Sequence, residues 1–238
     1  MDITLDSIRD IRLYQPRDGY RFSVDSLLLY DFIHLRKALN IADLGAGCGI
    51  IGILLAGKYP GATVHLFEIQ DKLALLAARN VAVNNLADRV QVVKSDIRDL
   101  ERRKDGALLY DLVVSNPPFR RLNSGRLNTE EEKAIARHEI TLQLRDCIGA
   151  ASKMLKIGGR FCIIYHPCRL AELLSIMKDR GIEAKRMRFV HSTRRSEAKM
   201  ILVEAVRGGR EGVKVEDPLY IYGEDGGYTQ EMEKVYSA

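Results

Sequence analysis

The chain has no tryptophan, six prolines and only four cysteines in 238 residues. Cys48, Cys147, Cys162 and Cys168 form no CxxC pair, which argues against a zinc site or a disulfide framework and points to reduced packing thiols. No stretch reaches the roughly 18 uninterrupted apolar residues that a membrane-crossing helix needs. Met1 to Asp6 lacks the basic start and apolar run of a signal peptide, so a cytoplasmic protein is expected. There is no internal repeat and no low-complexity tract. His138, His166 and His191 are far apart and show no metal-ligand spacing, so neither a metal nor a catalytic histidine is expected.

What is present is a repeating rhythm. Hydrophobic residues make up 46% of the chain, enough to bury a sizeable core. Ile41–Leu44, Val64–Phe67, Val90–Val93, Leu112–Val114 and Phe161–Ile164 are short apolar runs of the kind buried on both faces. Residues 50–58, 71–84, 138–155 and 169–180 carry apolar side chains at helical spacing between them. This alternation predicts an α/β fold, a Rossmann-like, mostly parallel sheet with helices on both faces. Glu183–Val190 and Lys199–Val206 then follow with no room for a helix between them, which predicts an antiparallel hairpin at the sheet edge and seven strands in all. The expected organisation is a lead-in over 1–38 packing on the ligand site, the α/β domain over 39–207, and a loop-rich tail over 208–238.

The first of these strands runs into Asp43-Leu44-Gly45-Ala46-Gly47-Cys48-Gly49-Ile50-Ile51-Gly52. In open parallel sheets ligands bind beyond the carboxyl ends of the strands, where the strand order reverses, and a glycine loop there lets backbone approach a ligand. Gly47 to Gly52 satisfies the dinucleotide spacing GxGxxG, which keeps a nicotinamide enzyme in view. Asp43 directly before the loop points elsewhere, because its carboxylate would repel a pyrophosphate and attract an ammonium. S-adenosylmethionine carries an ammonium, a sulfonium and no phosphate. Glu68 ends the second strand, placed to accept ribose hydroxyls, and Ser95-Asp96-Ile97 ends the third, with Asp96 placed for the adenine amino group and Ile97 against the ring.

The fourth strand ends in Ser115-Asn116-Pro117-Pro118-Phe119. Two prolines make a stiff turn, but a turn alone explains neither the amide nor the aromatic ring. An exocyclic amine or an amide nitrogen is a poor nucleophile because its lone pair is delocalised. If Asn116 and the Pro117 carbonyl each accept one of its N–H bonds, the lone pair is directed at the methyl group. Phe119 then offers a stacking face for a base turned out of its helix or loop.

DLGAGCGIIGILLA, FEIQ, SDIRD and SNPPF together resemble the class I S-adenosylmethionine-dependent methyltransferases of amino groups. Residues 15–29 are similar to the lead-in of the bacterial tRNA-valine adenine-N6 methyltransferases, which act on the adenosine 3′ of the anticodon. Pro218-Leu219-Tyr220-Ile221-Tyr222 followed by Tyr228-Thr229 is similar to that family's ending. The resemblance implies S-adenosylmethionine as cofactor, with Arg21 and Phe22 at its methionine end. It further implies Asp43, Gly45 and Gly47 around the amino acid and sulfonium, Glu68 on the ribose, Asp96 and Ile97 at the adenine, and Asn116, Pro117 and Phe119 at the target base.

Glutamine-N5 methyltransferases of release factors and guanine-N2 methyltransferases of ribosomal RNA meet the same chemical problem and remain alternatives. The release-factor enzymes carry a helical domain before the glycine loop, whereas 42 residues precede Asp43 here. A non-catalytic nucleotide binder would have no use for Asn116. The formal net charge is +5, and Lys185–Arg210 holds eight Lys or Arg against Glu197 and Glu204, a local +6 that leaves −1 elsewhere. That concentration favours a polyanion, and RNA is the expected partner. Arg120, Arg121 and Arg126 after the NPPF turn, with Arg194, Arg195 and Lys199 at the basic turn, are the expected phosphate contacts.

Overall fold

In the computed structural model, residues 3–16, 24–102, 108–117 and 144–237 are described. Five parallel strands form the centre: β3 (Asn40–Leu44), β4 (Thr63–Glu68), β5 (Val90–Lys94), β6 (Tyr110–Ser115) and β7 (Leu155–Tyr165). β8 (Ile182–His191) and β9 (Ala198–Arg207) pair antiparallel, and β9 lies between β7 and β8. The spatial order β8-β9-β7-β6-β3-β4-β5 reverses direction at β3, which has β6 on one side and β4 on the other.

Four of the five apolar runs predicted to be buried on both faces behave so because alternate residues feed two cores; the fifth, in β5, lies at the sheet edge and buries only Val90, with Gln91 exposed. Along β6 and β7, Leu112, Val114, Cys162 and Ile164 face one core. Val113, Phe161 and Ile163 face the other. The first core is closed by α1 (Val24–Phe32), α2 (Ile50–Lys58) and α3 (Asp71–Val83). The second is closed by α4 (Ile97–Glu101), α5 (Leu144–Met154) and α6 (Leu170–Asp179). Cys48, Cys147 and Cys162 are packing thiols within these layers, whereas Cys168 is exposed. None of the helices described here is long and apolar enough to cross a membrane.

The structure departs from the sequence reading at both ends. The sheet has nine strands rather than seven, because β10 (Lys214–Val215) and β11 (Leu219–Tyr220) both pair parallel with β8. The hairpin edge is therefore covered by the tail, as expected for an edge whose unpaired backbone groups invite further pairing. The tail closes with α7 (Gln230–Ser237), whose Met232 and Val235 are fully buried beside α1. At the other end β1 (Ile3–Ile8) and β2 (Ile11–Pro16) form a separate antiparallel ribbon.

That ribbon is held by Asn80 of α3. Its side-chain oxygen accepts from the Tyr14 N–H at 2.7 Å, and its nitrogen donates to the Tyr14 carbonyl at 3.0 Å and to the Cys48 carbonyl at 2.9 Å. One buried amide thus joins ribbon, helix and glycine loop, and its donors and acceptor are all used.

Gly52 explains why a dinucleotide-like spacing occurs here. A Cβ at this position would lie 2.1 Å from a Leu66 methyl on β4, so glycine is what lets α2 approach the sheet. Gly52→Ala is expected to cost about 1–3 kcal/mol through overpacking. A lower denaturation midpoint in urea checks this; an unchanged midpoint would show that Leu66 yields freely.

Candidate functional site

The site begins where β3 ends. Gly45, Gly47 and Gly49 take φ of 71°, 59° and 88°, a left-handed backbone that side chains disfavour. The end of β4 grips this loop. The Phe67 carbonyl accepts from the Gly45 and Ala46 N–H groups at 2.9 and 3.0 Å, and Glu68 Oε2 accepts from the Gly47 N–H at 2.8 Å. Glu68 Oε1 accepts from the Gln70 N–H at 2.8 Å, and burial raises the Glu68 pKa.

Asp43 lies beneath the loop rather than open to it, with 1% of its surface exposed. Its Oδ2 accepts from the Gly52 N–H at 3.0 Å, which ties the strand end to the first turn of α2. Oδ1 has no hydrogen-bond partner among the described residues. Burial pushes its pKa up to about 7. The sequence reading gave Asp43 a standing negative charge; the structure gives it a proton easily held near neutrality and released when a cation approaches.

Asp96 caps α4, accepting from the Arg98 N–H at 2.9 Å, and its carboxylate also pairs with the Arg98 guanidinium, which lowers its pKa. An incoming amino group must therefore compete with Arg98. Ile97 is buried in the second core.

On the other side of β3, Leu44 pairs with Ser115 in register, so the residues that follow, Gly45 and Asn116, leave the sheet side by side. The Ser115 hydroxyl donates to the Leu44 carbonyl at 2.8 Å and locks the two strand ends together. Asn116 is half-buried and Pro117 buried. The Asn116 side-chain nitrogen donates to the Ser26 hydroxyl at 3.3 Å, turning its oxygen the other way. Asp43, Gly45, Gly47, Glu68, Asp96 and Asn116 thus gather at one end of the sheet. Phe119, Arg21, Phe22, Arg120, Arg121 and Arg126 lie outside the described residues.

The basic stretch divides by role. Arg186 pairs with the buried Glu204 at 2.9 Å, Arg188 pairs with Glu231 at 2.7 Å, and Lys185 donates to backbone carbonyls of residues 210–212. Arg194 and Arg195 are exposed at the β8–β9 turn, and Lys199 is exposed at the start of β9 beside it. Because β8 runs parallel to the central strands, this turn is at the same end of the sheet as the glycine loop.

The residues that sequence reasoning missed are Ser26 and Asn80. Asn80 did leave a signal, an amide on the apolar face of α3 with Leu73, Ala77 and Val81. Ser26 left none, since its partner is 90 positions away.

The Asp43 environment has a measurable consequence. The folded chain keeps this proton to about pH 7 while an unfolded chain loses it near 3.8. The group's contribution to stability is therefore largest in acid, declines between these values, and is level above them. Stability should fall more from about pH 5 to about pH 7.5 in wild type than in Asp43→Asn, read by urea denaturation. Parallel pH curves would mean that Asp43 ionises normally.

Known proteins resemble this chain in sequence and in fold. Residues 21–179 match the methyltransferase small domain family. The chain is 30% identical over 184 residues to a protein of Pedobacter heparinus named tRNA1(Val) (adenine(37)-N6)-methyltransferase, covering 77% of this chain and 76% of that one. It is 28% identical over 224 residues to a protein of the same name from Aeromonas hydrophila, covering 94% and 91%. A solved structure from Agrobacterium tumefaciens, described as a predicted O-methyltransferase, superposes with a TM-score of 0.69 at 24% identity, covering 89% of this chain and 95% of that one. This last likeness concerns the fold. With the family match spanning the glycine loop, the three acidic strand ends and Asn116-Pro117, the chain belongs to the methyltransferase small domain family and is an S-adenosylmethionine-dependent methyltransferase.

Proposed function

We propose that the chain methylates N6 of an adenosine in the anticodon loop of a valine tRNA, the substrate class named for its relatives. The observation that carries the reading is the β3–β6 register, which sets Asn116-Pro117 beside the glycine loop. An amide oxygen and a fixed carbonyl at that point suit an amino group with two N–H bonds to donate.

The residues fit the cofactor. Asp43 Oδ1, buried and without a partner among the described residues, suits a cationic ligand carried on the loop above it. Glu68 keeps acceptor capacity for ribose hydroxyls, and Asp96 and Ile97 are assigned the adenine. Arg21 and Phe22 are assigned the methionine end. When bound, S-adenosylmethionine supplies an electrophilic methyl group on a positively charged sulfur.

The chain's own work is positioning. Asn116 Oδ1 and the Pro117 carbonyl accept the two amine hydrogens, which draws the nitrogen towards tetrahedral geometry and frees its lone pair. Phe119 holds the flipped base flat. The N–CH₃ bond forms as the S–CH₃ bond breaks, and the amine then loses one proton to solvent. No strong base is needed, because preorganised dipoles act where charge develops. The Ser26 hydroxyl holds the Asn116 amide in the required sense.

The test is methyl transfer from labelled S-adenosylmethionine into unmodified valine tRNA, ribosomal RNA and release-factor protein in parallel. N6-methyladenosine in the tRNA is expected, and Asn116→Ala should lower kcat by about a hundredfold or more while the protein stays folded. Label in rRNA or protein alone overturns the substrate. Replacing Arg194 and Arg195 by alanine should weaken RNA binding and flatten its dependence on salt, with the slope of log Kd on log salt falling by about 0.7–0.9 per lost phosphate contact. An unchanged slope removes the turn from the RNA interface.

A further inference from the structure

The exposed end of the tail carries a feature that methyl transfer does not use. Tyr222 and Tyr228 stack with ring centroids 5.4 Å apart and planes 15° apart, and Tyr228 stacks on Tyr236 at 5.2 Å and 28°. The ladder is not a core element, since Tyr222 is 40% and Tyr228 45% exposed. Tyr228 has a ring on either side of it, so a further flat ring can extend the ladder only from the outer side of Tyr222.

The ladder is also rigid. Tyr222 and Tyr228 face each other across an isolated antiparallel bridge, closed by the Gly223 N–H donating to the Gly227 carbonyl at 2.8 Å. The Thr229 hydroxyl donates to the Tyr220 carbonyl at 2.7 Å and accepts from the Met232 N–H at 3.2 Å, fixing the start of α7 beneath the rings.

Its position joins it to the basic turn. The Tyr222 N–H donates to the Ser192 carbonyl at 2.8 Å, two residues before Arg194. The Arg194 guanidinium lies over the Tyr220 ring, 5.8 Å from its centroid. At the inner end, Tyr236 belongs to α7, which packs on α1, and α1 carries the Ser26 hydroxyl that holds Asn116. The ladder therefore stands between the cationic turn and the helix that orients the reacting end of the site.

We propose that the Tyr222–Tyr228 ladder is a stacking platform for an unpaired nucleotide of the RNA substrate adjacent to the target adenosine. An unpaired base presents a π-face regardless of sequence, and aromatic platforms beside cationic grooves are how single strands are held. Glu224 and Asp225 in the connecting turn disfavour a phosphate there. That sets the polarity of the contact, with bases on the tyrosines and the backbone towards Arg194 and Arg195.

The inference rests on the RNA reading above, and the experiment separates the two. Fluorescence anisotropy with a labelled, unmodified anticodon stem-loop RNA is measured for wild type, for Tyr222→Ala with Tyr228→Ala, and for the corresponding phenylalanine pair. S-adenosylmethionine affinity is measured on the same samples. Loss of one stacked base is expected to weaken RNA binding about tenfold in the alanine pair, with cofactor affinity unchanged and the phenylalanine pair close to wild type. Equal Kd for the alanine pair and wild type, or a phenylalanine pair as weak as alanine, overturns the platform and leaves the RNA reading intact. Absence of RNA binding by wild type overturns both. A second measurement needs no variant: nitration of wild-type tyrosines with and without saturating RNA. Protection of Tyr222 and Tyr228 is expected, and unchanged modification of both counts against the platform even if the alanine pair fails to fold.

Discussion

The grip of β4 on the glycine loop is the constraint on which the rest depends. Three successive backbone N–H groups, from Gly45, Ala46 and Gly47, are satisfied by the Phe67 carbonyl and the Glu68 carboxylate. Without those acceptors the loop would carry unpaired backbone donors close to the core, at a cost of about 1–3 kcal/mol each. With them, the left-handed turns are fixed, α2 begins at Ile50, and Gly52 brings that helix onto β4. Two buried acids follow from this closeness: burial raises the cost of ionising both Asp43 and Glu68, and the Glu68 charge adds to the cost at Asp43. A site that resists negative charge when empty is one in which a cationic ligand gains by restoring it.

The central sheet was readable because parallel strands inside a sheet appear as plain apolar runs, and all five runs form strands, as do the two stretches read as a hairpin. The acids at three strand ends and the Asn116 turn were readable for a related reason. Topology places every carboxyl end of the parallel strands on one edge, so residue type and position suffice. The ends of the chain were harder to read. The β1–β2 ribbon alternates too weakly to announce itself, and its stability comes from Asn80, Asn84 and α3, which no local pattern reveals. The tail looked irregular because its six glycines dilute the signal, yet Met232, Val235 and Tyr236 carry the spacing of a helix with one apolar face.

The same distinction governs the charges. A local excess of +6 suggested one basic surface, but the excess has two origins. Glu204 is buried on β9 and is paired with Arg160 and Arg186, and Arg186 also stacks its guanidinium 3.8 Å from the centre of the Phe32 ring. Those arginines compensate a buried carboxylate, and removing both would leave an unpaired charge in the sheet. Counting charges along the sequence cannot separate them from Arg194 and Arg195, because the pairing partner is supplied by a neighbouring strand.

Both ends of the chain converge on α1, and this links the peripheral elements to the chemistry. Arg9, at the ribbon's turn, donates to the Val235 carbonyl at the end of α7 and lies over the Tyr30 ring of α1, 4.6 Å from its centroid. α1 therefore rests on a ribbon from the first residues and a helix from the last. It presents Ser26 to Asn116, so the direction of the amide oxygen depends on elements outside the α/β core. Catalysis by positioning is sensitive to small displacements, since reacting atoms have to meet within about 3–3.5 Å. Ribbon and tail are best understood as supports that fix this one helix, and through it the Asn116 amide.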